Sequence, residues 1–524
     1  MRNQAVIRIA LLAVMLLLFL SMDGCRHQAG KPNIILIYAD DLGIGLLGHE
    51  GQQIIETPNI DRLAKEGIRF QNAYSCMLCA PARASLISGQ HDCHAQKFEI
   101  TNAGIYKKIG TGELSHMEVE QMIQKKLSPV PDDQVFLGQI ARETGYVTAQ
   151  FGKLEWGFAS THQEMKRHGW DSYFGYLDHV RAHGFYPPYL FTNGELVEIP
   201  GNTHSDCGKS GEPETQLIYA ERWDKTGKEV YSQDLFMDSI LSFMEENKNH
   251  PFFLYFPTQL PHGPVSVPEL HPDFVNYQGL TQIEKEYASM VKRLDDDVGE
   301  IMEKLKELQI ENNTLVIFTS DNGHEIYYAQ KDRIHKPYTN MKTGEVFDNF
   351  DRKYYSELAG DIFDGNGGRA GMKRSNLQGG IDVPLIIRWP DKIPRESISH
   401  RLIANYDILA TIAEITGYKK AFQGDGLSFC SELMDSLPGE EHGFVVFSSF
   451  EGPTLITKEG WKIRTVIKKN SFELYDLNED FREENNLAAK YPDKLKQLKL
   501  MLLNACEGDL NNGLYSPQQS QMDI

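Results

Sequence analysis

Four short apolar runs along the chain each lead directly into polar or charged residues. They are residues 33–38 (NIILIY), 146–151 (YVTAQF), 252–256 (FFLYF) and 315–319 (LVIFT). Runs of this length, rich in apolar, β-branched and aromatic residues, are typical of strands that are buried on both faces of a parallel sheet. We therefore predict a central, largely parallel sheet.

The segments between these runs have helical patterns. Thr57 and Pro58 form a typical helix start, and Gly67 forms a typical stop. Residues 283–308 carry apolar side chains three or four positions apart, as expected for one buried helical stripe: Tyr287, Val291, Leu294, Val298, Ile301, Leu305 and Leu308. Alternating strands and helices predict an α/β fold, with a mostly parallel mixed sheet sandwiched by helices.

The pattern changes near residue 402. Residues 443–450 and 461–467 have the pattern of short strands, and residues 492–503 have a helical pattern. We expect a catalytic α/β domain over residues 25–400 and a smaller C-terminal α+β subdomain over residues 401–524.

The N-terminus has the pattern of a targeting segment. An unbroken apolar run over residues 9–20 follows Arg2 and Arg8. This length suits the core of a signal peptide and is short for a membrane span, so we predict a signal peptide over residues 1–24. The residues before Cys25 resemble a bacterial lipoprotein cleavage site, with ordinary signal cleavage as the alternative. We expect export to the periplasm or cell surface of a Gram-negative bacterium, with Cys25 as a possible lipid anchor.

The charge balance limits the possible partners. The formal net charge is −20, and no block of basic residues interrupts it. Such a chain repels nucleic acid, so nucleic-acid binding is excluded as a function. An anionic substrate would also be repelled at long range, and any anion site must therefore be built from local cations.

Hard oxygen donors follow two of the predicted strands. Asp40 and Asp41 come after the first run, and Asp321 and Asn322 come after the last. Ligands of open α/β sheets bind beyond the carboxyl ends of the strands. Turn formation and helix capping are the alternative, but adjacent carboxylates repel each other and favour a cation. Oxygen-only ligation predicts Ca²⁺, with Mg²⁺ as the second choice.

A cysteine stands at a predicted helix start in residues 79–83 (CAPAR). Pro81 fits the first turn of a helix that runs to Ser88, with Gly89 as its stop. Cys79 would then lie at a helix N-terminus, where backbone N–H groups favour an anion. A buried structural cysteine is the alternative.

This segment and residues 84–89 (ASLISG) resemble the signature of the formylglycine-dependent (type I) sulfatases of the alkaline phosphatase superfamily, including bacterial glycan sulfatases. Ala82 stands where serine is more common. The resemblance extends over residues 32–477. It implies that a maturation enzyme oxidises Cys79 to formylglycine. One hydroxyl of its hydrate attacks sulfur, and the other then drives out sulfate.

The resemblance also implies a role for each remaining candidate. Asp40, Asp41, Asp321 and Asn322 match the family's metal ligands, together with the modified Cys79. Arg83 matches an arginine that holds the hydrate, and Lys153 and Lys373 match lysines that bind sulfate or the leaving oxygen. His262 matches the general acid. His324 is a weaker candidate, either for contact with the substrate or for support of the metal ligands.

One position departs from the family pattern. Glu155 stands where the family carries a histidine that hydrogen-bonds the formylglycine. A carboxylate could act as the base there. It could instead have turned away, with another residue in its place, or the change could mark a loss of activity.

We predict a sulfatase acting on a sulfated carbohydrate, such as a glycosaminoglycan, a mucin-type glycan or an algal glycan. The alternatives are a phosphonate or phosphate ester hydrolase of the same superfamily and an inactive sulfated-glycan-binding lipoprotein. Substrate specificity is expected in three loops, over residues 98–130, 179–214 and 325–368. These loops hold several candidate sugar contacts: His183, His204, Tyr327, Tyr328 and Asp364.

Overall fold

The computed structural model describes residues 30–96, 104–126, 133–155, 161–203, 224–328, 334–335, 339–340, 343–344, 352–434 and 439–515. The predicted signal peptide, Cys25 and His204 lie outside these ranges. Among the described residues, none of the helices has the length and apolar character needed to cross a bilayer.

The strands are short and most of them are buried. They are β1 (Asn33–Ala39), β2 (Ile68–Tyr74), β3 (Val147–Lys153), β4 (Ser172–Tyr176), β5 (Tyr189–Thr192), β6 (Glu195–Glu198), β7 (Phe252–Pro257), β8 (Thr314–Ser320), β9 (Ile334–His335), β10 (Thr339–Asn340), β11 (Leu385–Arg388), β12 (Ser397–Ala404), β13 (Phe444–Phe447), β14 (Thr454–Thr457), β15 (Trp461–Val466) and β16 (Ser471–Asp476).

Ten of these strands form the central sheet, in the order β12-β2-β11-β8-β1-β7-β3-β4-β5-β6. The five strands from β8 to β4 are parallel to one another. Strand β11 runs antiparallel to both of its neighbours, β2 and β8, and β5 and β6 each run antiparallel to the strand before them. The mostly parallel mixed sheet predicted from the apolar runs is confirmed. Strand β1 lies at its centre, and all seven of its residues are buried.

The α-helices cover both faces of this sheet. They are α1 (Pro58–Glu66), α2 (Cys79–Ser88), α3 (Lys107–Gly110), α4 (His116–Lys126), α5 (Leu137–Glu143), α6 (His162–Arg167), α7 (Ser232–Asn247), α8 (Pro272–Val275), α9 (Gln282–Glu307), α10 (Ser356–Ala359), α11 (Gln378–Ile381), α12 (Asp407–Thr416), α13 (Cys430–Leu433) and α14 (Pro492–Ala505).

Alternate residues of β1 face opposite layers of helices. Ile35 and Ile37 belong to the hydrophobic core that contains the apolar stripe of α9, including Leu294. Ile34 and Leu36 belong to the core on the other face, which contains α5 and α12. Successive side chains of a strand point to opposite faces of the sheet. A strand that helices cover on both faces therefore needs apolar residues at every position.

A second, smaller sheet follows the central one. It is antiparallel, in the order β13-β14-β15-β16, and α14 packs against it through Leu498 and Leu502. The expected C-terminal α+β subdomain is therefore present. Its sheet begins only at Phe444, however, and residue 400 lies within β12, which pairs in parallel with β2 in the central sheet.

The C-terminal subdomain holds a loop of the large domain. Asn376 Nδ2 donates to the carbonyl oxygens of Gly452 and Thr465, at 3.0 and 3.1 Å. Glu483 accepts a hydrogen bond from the backbone N–H of Gln378 at 2.6 Å. The loop that precedes α11 is thus fixed by residues that lie far along the chain.

Candidate active site

The parallel pairing of β1 and β8 brings the predicted oxygen donors together. Ala39 lies opposite Ser320, so the residues that follow each strand leave the sheet side by side. The backbone N–H of Asp41 donates to Asp321 Oδ1 at 2.9 Å, and Asn322 Nδ2 donates to Asp41 Oδ1 at 2.7 Å. All four candidate ligands, including Asp40, are fully buried.

Helix α2 presents Cys79 and Arg83 to these carboxylates. Cys79 is the first residue of the helix, and Arg83 lies one turn later on the same face. Arg83 Nη2 lies 2.9 Å from Asp321 Oδ2 and 3.6 Å from Asp40 Oδ2. The sulfur of Cys79 and oxygens of Asp40 and Asp321 lie within 4.8 Å of one another. Burial raises the pKa of the Cys79 thiol above its ordinary value.

Two buried lysines complete the ring of cations. Lys153, the last residue of β3, donates to Asp40 Oδ2 at 2.6 Å, and Lys373 donates to Asp41 Oδ2 at 2.6 Å. Gly152 permits a close approach between β3 and β7, because its φ is 124° and a Cβ there would lie 2.3 Å from the Pro257 carbonyl oxygen. The strand can therefore bring Lys153 against Asp40.

The donor set fits a divalent cation. Asp40 Oδ1 and Asn322 Oδ1 are buried, and neither has a hydrogen-bond partner among the described residues. Buried oxygens without donors are costly unless a ligand satisfies them. Burial and the charge of Asp40 raise the pKa of Asp321 to about 8. Burial disfavours ionisation of Asp40 as well, but Lys153 and the other nearby cations hold its pKa well below the ordinary value.

The predicted general acid also lies in the site. His262 Nε2 is 3.5 Å from Asp41 Oδ2, and its Nδ1 contacts the carbonyl oxygen of Gly263. Burial and Lys373 lower the pKa of His262 to about 3, so the imidazole is neutral without a bound ligand. Tyr327, from a loop expected to set specificity, donates its hydroxyl to Asp41 Oδ2.

Comparison with known proteins decides the family. Residues 32–418 match the family model described as "Sulfatase", and residues 372–507 match the model of the N-sulphoglucosamine sulphohydrolase C-terminal region. The first match covers most of the chain. The chain belongs to the sulfatase family. It is therefore an enzyme that hydrolyses sulfuric esters, in a family that generally uses Ca²⁺ and formylglycine.

This sulfatase is similar to enzymes of animals and bacteria. A human N-acetylgalactosamine-6-sulfatase is 29% identical over 399 residues, which are 75% of this chain and 64% of the human enzyme. An N-acetylgalactosamine-6-O-sulfatase of Bacteroides thetaiotaomicron is 27% identical over 92% of this chain and 96% of its own. A solved structure from work on glycosaminoglycan metabolism by that bacterium superposes with a TM-score of 0.68 at 23% identity, over 91% of this chain and 99% of the other, which shows the fold.

In this sulfatase, residues other than Cys79 hold the side chain of Glu155. Glu155 Oε2 lies 3.0 Å from His168 Nδ1, and Oε1 accepts a hydrogen bond from Trp170 Nε1. Of the alternatives considered for this position, the geometry favours a carboxylate that has turned away. Among the described residues, no hydrogen bond joins Glu155 to Cys79.

A histidine that sequence reasoning missed contacts Cys79. His179 Nε2 lies 2.9 Å from Cys79 Sγ. His179 follows β4 by three residues, and it thus obeys the strand-end rule that identified the other candidates. The strand itself (SYFGY) was not recognised, because it is short and interrupted by Gly175.

His324 follows the predicted metal ligands Asp321 and Asn322, but its side chain has other partners. Its Nε2 lies 2.8 Å from the Tyr328 hydroxyl, and its Nδ1 lies 3.4 Å from the Tyr287 hydroxyl. Its carbonyl oxygen accepts a hydrogen bond from the backbone N–H of Lys373 at 2.9 Å. The described contacts of His324 thus position its loop, and a substrate contact at its side chain stays a prediction.

Proposed function

We propose that this protein removes sulfate esters from a sulfated carbohydrate, with formylglycine at residue 79 and a calcium ion as cofactors. The observation that carries the proposal is the convergence of Cys79, three carboxylates and three buried cations at the carboxyl ends of β1, β3 and β8. Asp40, Asp41, Asp321 and Asn322 would hold the Ca²⁺, because they offer the hard oxygens that this ion prefers.

Charge balance supports a sulfate site at this position. Three carboxylates (Asp40, Asp41, Asp321) face three cations (Arg83, Lys153, Lys373). Adding one divalent cation and the product, a sulfate dianion, preserves this balance, whereas a bound sulfate ester, which is a monoanion, leaves one net positive charge. The carboxylates would then bind the metal, and the lysines would donate to the sulfate oxygens instead. The net charge of −20 does not oppose binding, since these cations act locally.

Each side chain then has a defined task. The N-terminus of α2 and Arg83 orient the nucleophile of residue 79, and the two lysines hold the sulfate. His262 gives a proton to the leaving sugar oxygen, since negative charge develops on this oxygen as the S–O bond breaks. The metal ion, when bound, supplies a Lewis acid that polarises the S–O bonds and lowers the pKa of the attacking hydroxyl.

The names of the relatives indicate the substrate class. Both the human and the Bacteroides relatives are named for 6-sulfated N-acetylgalactosamine. We propose a sulfated amino sugar of a glycosaminoglycan or mucin-type glycan as the first substrate to test. Export with a lipid anchor at Cys25 belongs to the same proposal and is supported by the apolar run and the cysteine after it.

Hydrolysis should be compared among an aryl sulfate, 6-sulfated N-acetylgalactosamine and an aryl phosphate, using protein made with a formylglycine-generating maturation enzyme. Faster release of sulfate than of phosphate is expected. A preference for the phosphate would support the phosphate ester hydrolase instead. Binding of the sulfated sugar without turnover, by protein with an unmodified Cys79 from its own host, would support the inactive binder.

A second experiment tests the anchor. Radiolabelled palmitate fed to cells that express the full chain should enter the wild-type protein and not the Cys25→Ser variant. Equal labelling of both proteins, or of neither, would overturn the proposal of a lipid anchor.

A further inference from the structure

His179 places an imidazole beside residue 79, although Glu155 stands at the position where the family usually carries the histidine that contacts this residue. This inference rests on the proposed function, because it concerns how residue 79 is reset between turnovers. Three observations carry it: the way Glu155 is held, the position of His179, and the rigidity of the loop that carries His179.

Glu155 is fixed in a pocket of its own. Its φ of 54° directs the side chain away from the strand path, and it is fully buried. His168 and Trp170 occupy both carboxylate oxygens, and His168 Nε2 lies 3.4 Å from Glu164 as well. Turning Glu155 toward residue 79 would leave these buried donors without their acceptor, which is costly. The carboxylate is therefore a structural element of this pocket.

His179 has the geometry that Glu155 lacks. Its Nε2 lies 2.9 Å from Cys79 Sγ, and its side chain is buried among the site residues. The thiol sulfur stands where the modified residue carries a hydroxyl oxygen. A general base must lie within hydrogen-bond reach of the proton that it takes, and His179 meets that condition.

The loop that carries His179 is held in place by the preceding residue. Asp178 accepts backbone hydrogen bonds from Gly104 at 2.9 Å, from Tyr106 at 3.0 Å and from Val180 at 2.9 Å. The ring of His183 packs edge-on against His179, with ring centroids 5.2 Å apart. An imidazole held by such a loop is positioned before substrate arrives, which catalysis requires.

We infer that His179 is the base that releases sulfate from residue 79, and that Glu155 has no part in this step. After transfer, residue 79 carries one hydroxyl and one sulfate on the same carbon. His179 Nε2 takes the hydroxyl proton, and the O–H electron pair forms the carbonyl. The C–O bond to sulfate breaks, and sulfate leaves with the electron pair of this C–O bond. Addition of water then restores the hydrate.

The test is to trap the sulfated residue in variants that carry formylglycine. His179→Ala and Glu155→Gln are made with the maturation enzyme, and the formylglycine content of each is measured by peptide mass spectrometry. Each is then mixed with an excess of aryl sulfate. The exposed His250, which lies in a turn, provides the matched control His250→Gln.

His179→Ala should release one equivalent of phenol in a burst and then turn over about 10²–10⁴-fold more slowly than wild type. Its residue-79 peptide should be heavier by one sulfo group. Glu155→Gln should show a lower Tm and no such adduct, and His250→Gln should match wild type. A second variant, His179→Asn, gives the same readout if the alanine protein does not fold.

An adduct in Glu155→Gln but not in His179→Ala or His179→Asn would overturn the inference. So would turnover at the wild-type rate in a His179 variant that carries formylglycine. Failure of wild-type protein to hydrolyse any sulfate ester is a separate result, since it rejects the proposed function itself.

Discussion

Two buried clusters of charge in this molecule have different balances of donors and acceptors. In the C-terminal charge cluster (Asn376, Glu451, Arg464 and Glu473), Arg464 Nε donates to Asn376 Oδ1 at 2.5 Å, and Nη1 donates to Glu473 Oε2 at 2.6 Å. Its Nη2 donates to Glu451. At the active site, by contrast, the buried Arg83 donates through Nη2 to Asp321, and its Nε and Nη1 have no acceptor among the described residues.

The difference separates a structural cluster from a functional one. A buried arginine whose nitrogens all meet protein acceptors holds elements together, and removal of one partner leaves an uncompensated charge. A buried arginine that leaves nitrogens without protein acceptors, in contrast, can be completed by an anionic ligand. Substitutions in the first cluster should therefore cost stability, and substitutions in the second should cost activity.

The largest effect is expected at the nucleophile. Cys79→Ala should lower kcat/KM for a sulfate ester by at least about 10³-fold, because no other residue can form the covalent intermediate. Its Tm should stay close to that of wild type, since the thiol holds no strand or helix together. A folded Cys79→Ala protein with substantial sulfatase activity would show that the nucleophile lies elsewhere.

The next largest effect is expected in the C-terminal charge cluster. Arg464→Met should lower the free energy of unfolding by about 3–5 kcal/mol, because it leaves buried Glu451 and half-buried Glu473 without their cation. Arg482→Met is the matched control in the same subdomain: its partly exposed ion pairs with Glu357 and Glu484 should contribute about 0–1 kcal/mol. Urea denaturation measures both, and equal losses in the two variants would contradict the comparison.

Removal of divalent cations should have a smaller effect on stability. Chelation should lower Tm, and Ca²⁺ at 100 times its Kd should restore about 2.7 kcal/mol, because the ion binds the folded chain alone. Differential scanning calorimetry measures the shift. Arg464→Met should respond to Ca²⁺ as wild type does, whereas Asp40→Asn should not. An unchanged Tm in wild type would argue against a metal at these oxygens.

A partly exposed third cluster should show the smallest effect. His94 lies 2.8 Å from Asp425 and 2.7 Å from Glu507, with His91 stacked on its ring and Asp92 nearby. Its hydrogen bond to Asp425 outweighs burial and, with Glu507, raises its pKa from 6.5 to about 9.

Because the folded-state pKa of His94 is the higher one, its stabilisation is complete below about pH 6.5 and is lost as pH rises through about 9. The expected loss is about 1 kcal/mol. Urea denaturation at pH 6 and pH 10 should show this loss in wild type and not in His94→Gln. An equal pH dependence in both proteins would contradict the assignment.

The strand-end part of the site could be predicted from sequence. Apolar runs mark buried strands, and parallel strands end at one edge, so Asp40, Lys153 and Asp321 were expected to converge. His179 could not be found in this way, because β4 is short and contains a glycine. The sequence shows that Glu155 replaces the family histidine. The direction in which its carboxylate points depends on His168 and Trp170, which contact it only in the folded chain.

The boundary between the two sheets was harder to predict for a similar reason. Strand β12 belongs to the central sheet because it pairs with β2, more than 300 residues earlier. Local patterns of apolar and polar residues report that a segment is a strand, but they do not report its partner. The sequence of β12 therefore gave no sign that it extends the large sheet past residue 400.

The anchoring of Asn376 and Gln378 by the C-terminal subdomain affects when the active site can be completed during synthesis. Lys373 lies three residues before Asn376, whose partners include Gly452 and Thr465, and Gln378 is held by Glu483. A nascent chain that has emerged only as far as residue 420 would hold every proposed ligand and both lysines, yet would lack the contacts that fix the Lys373 loop. Sulfate binding should therefore become possible only when the chain has folded as far as Glu483. A chain truncated before this residue should be inactive.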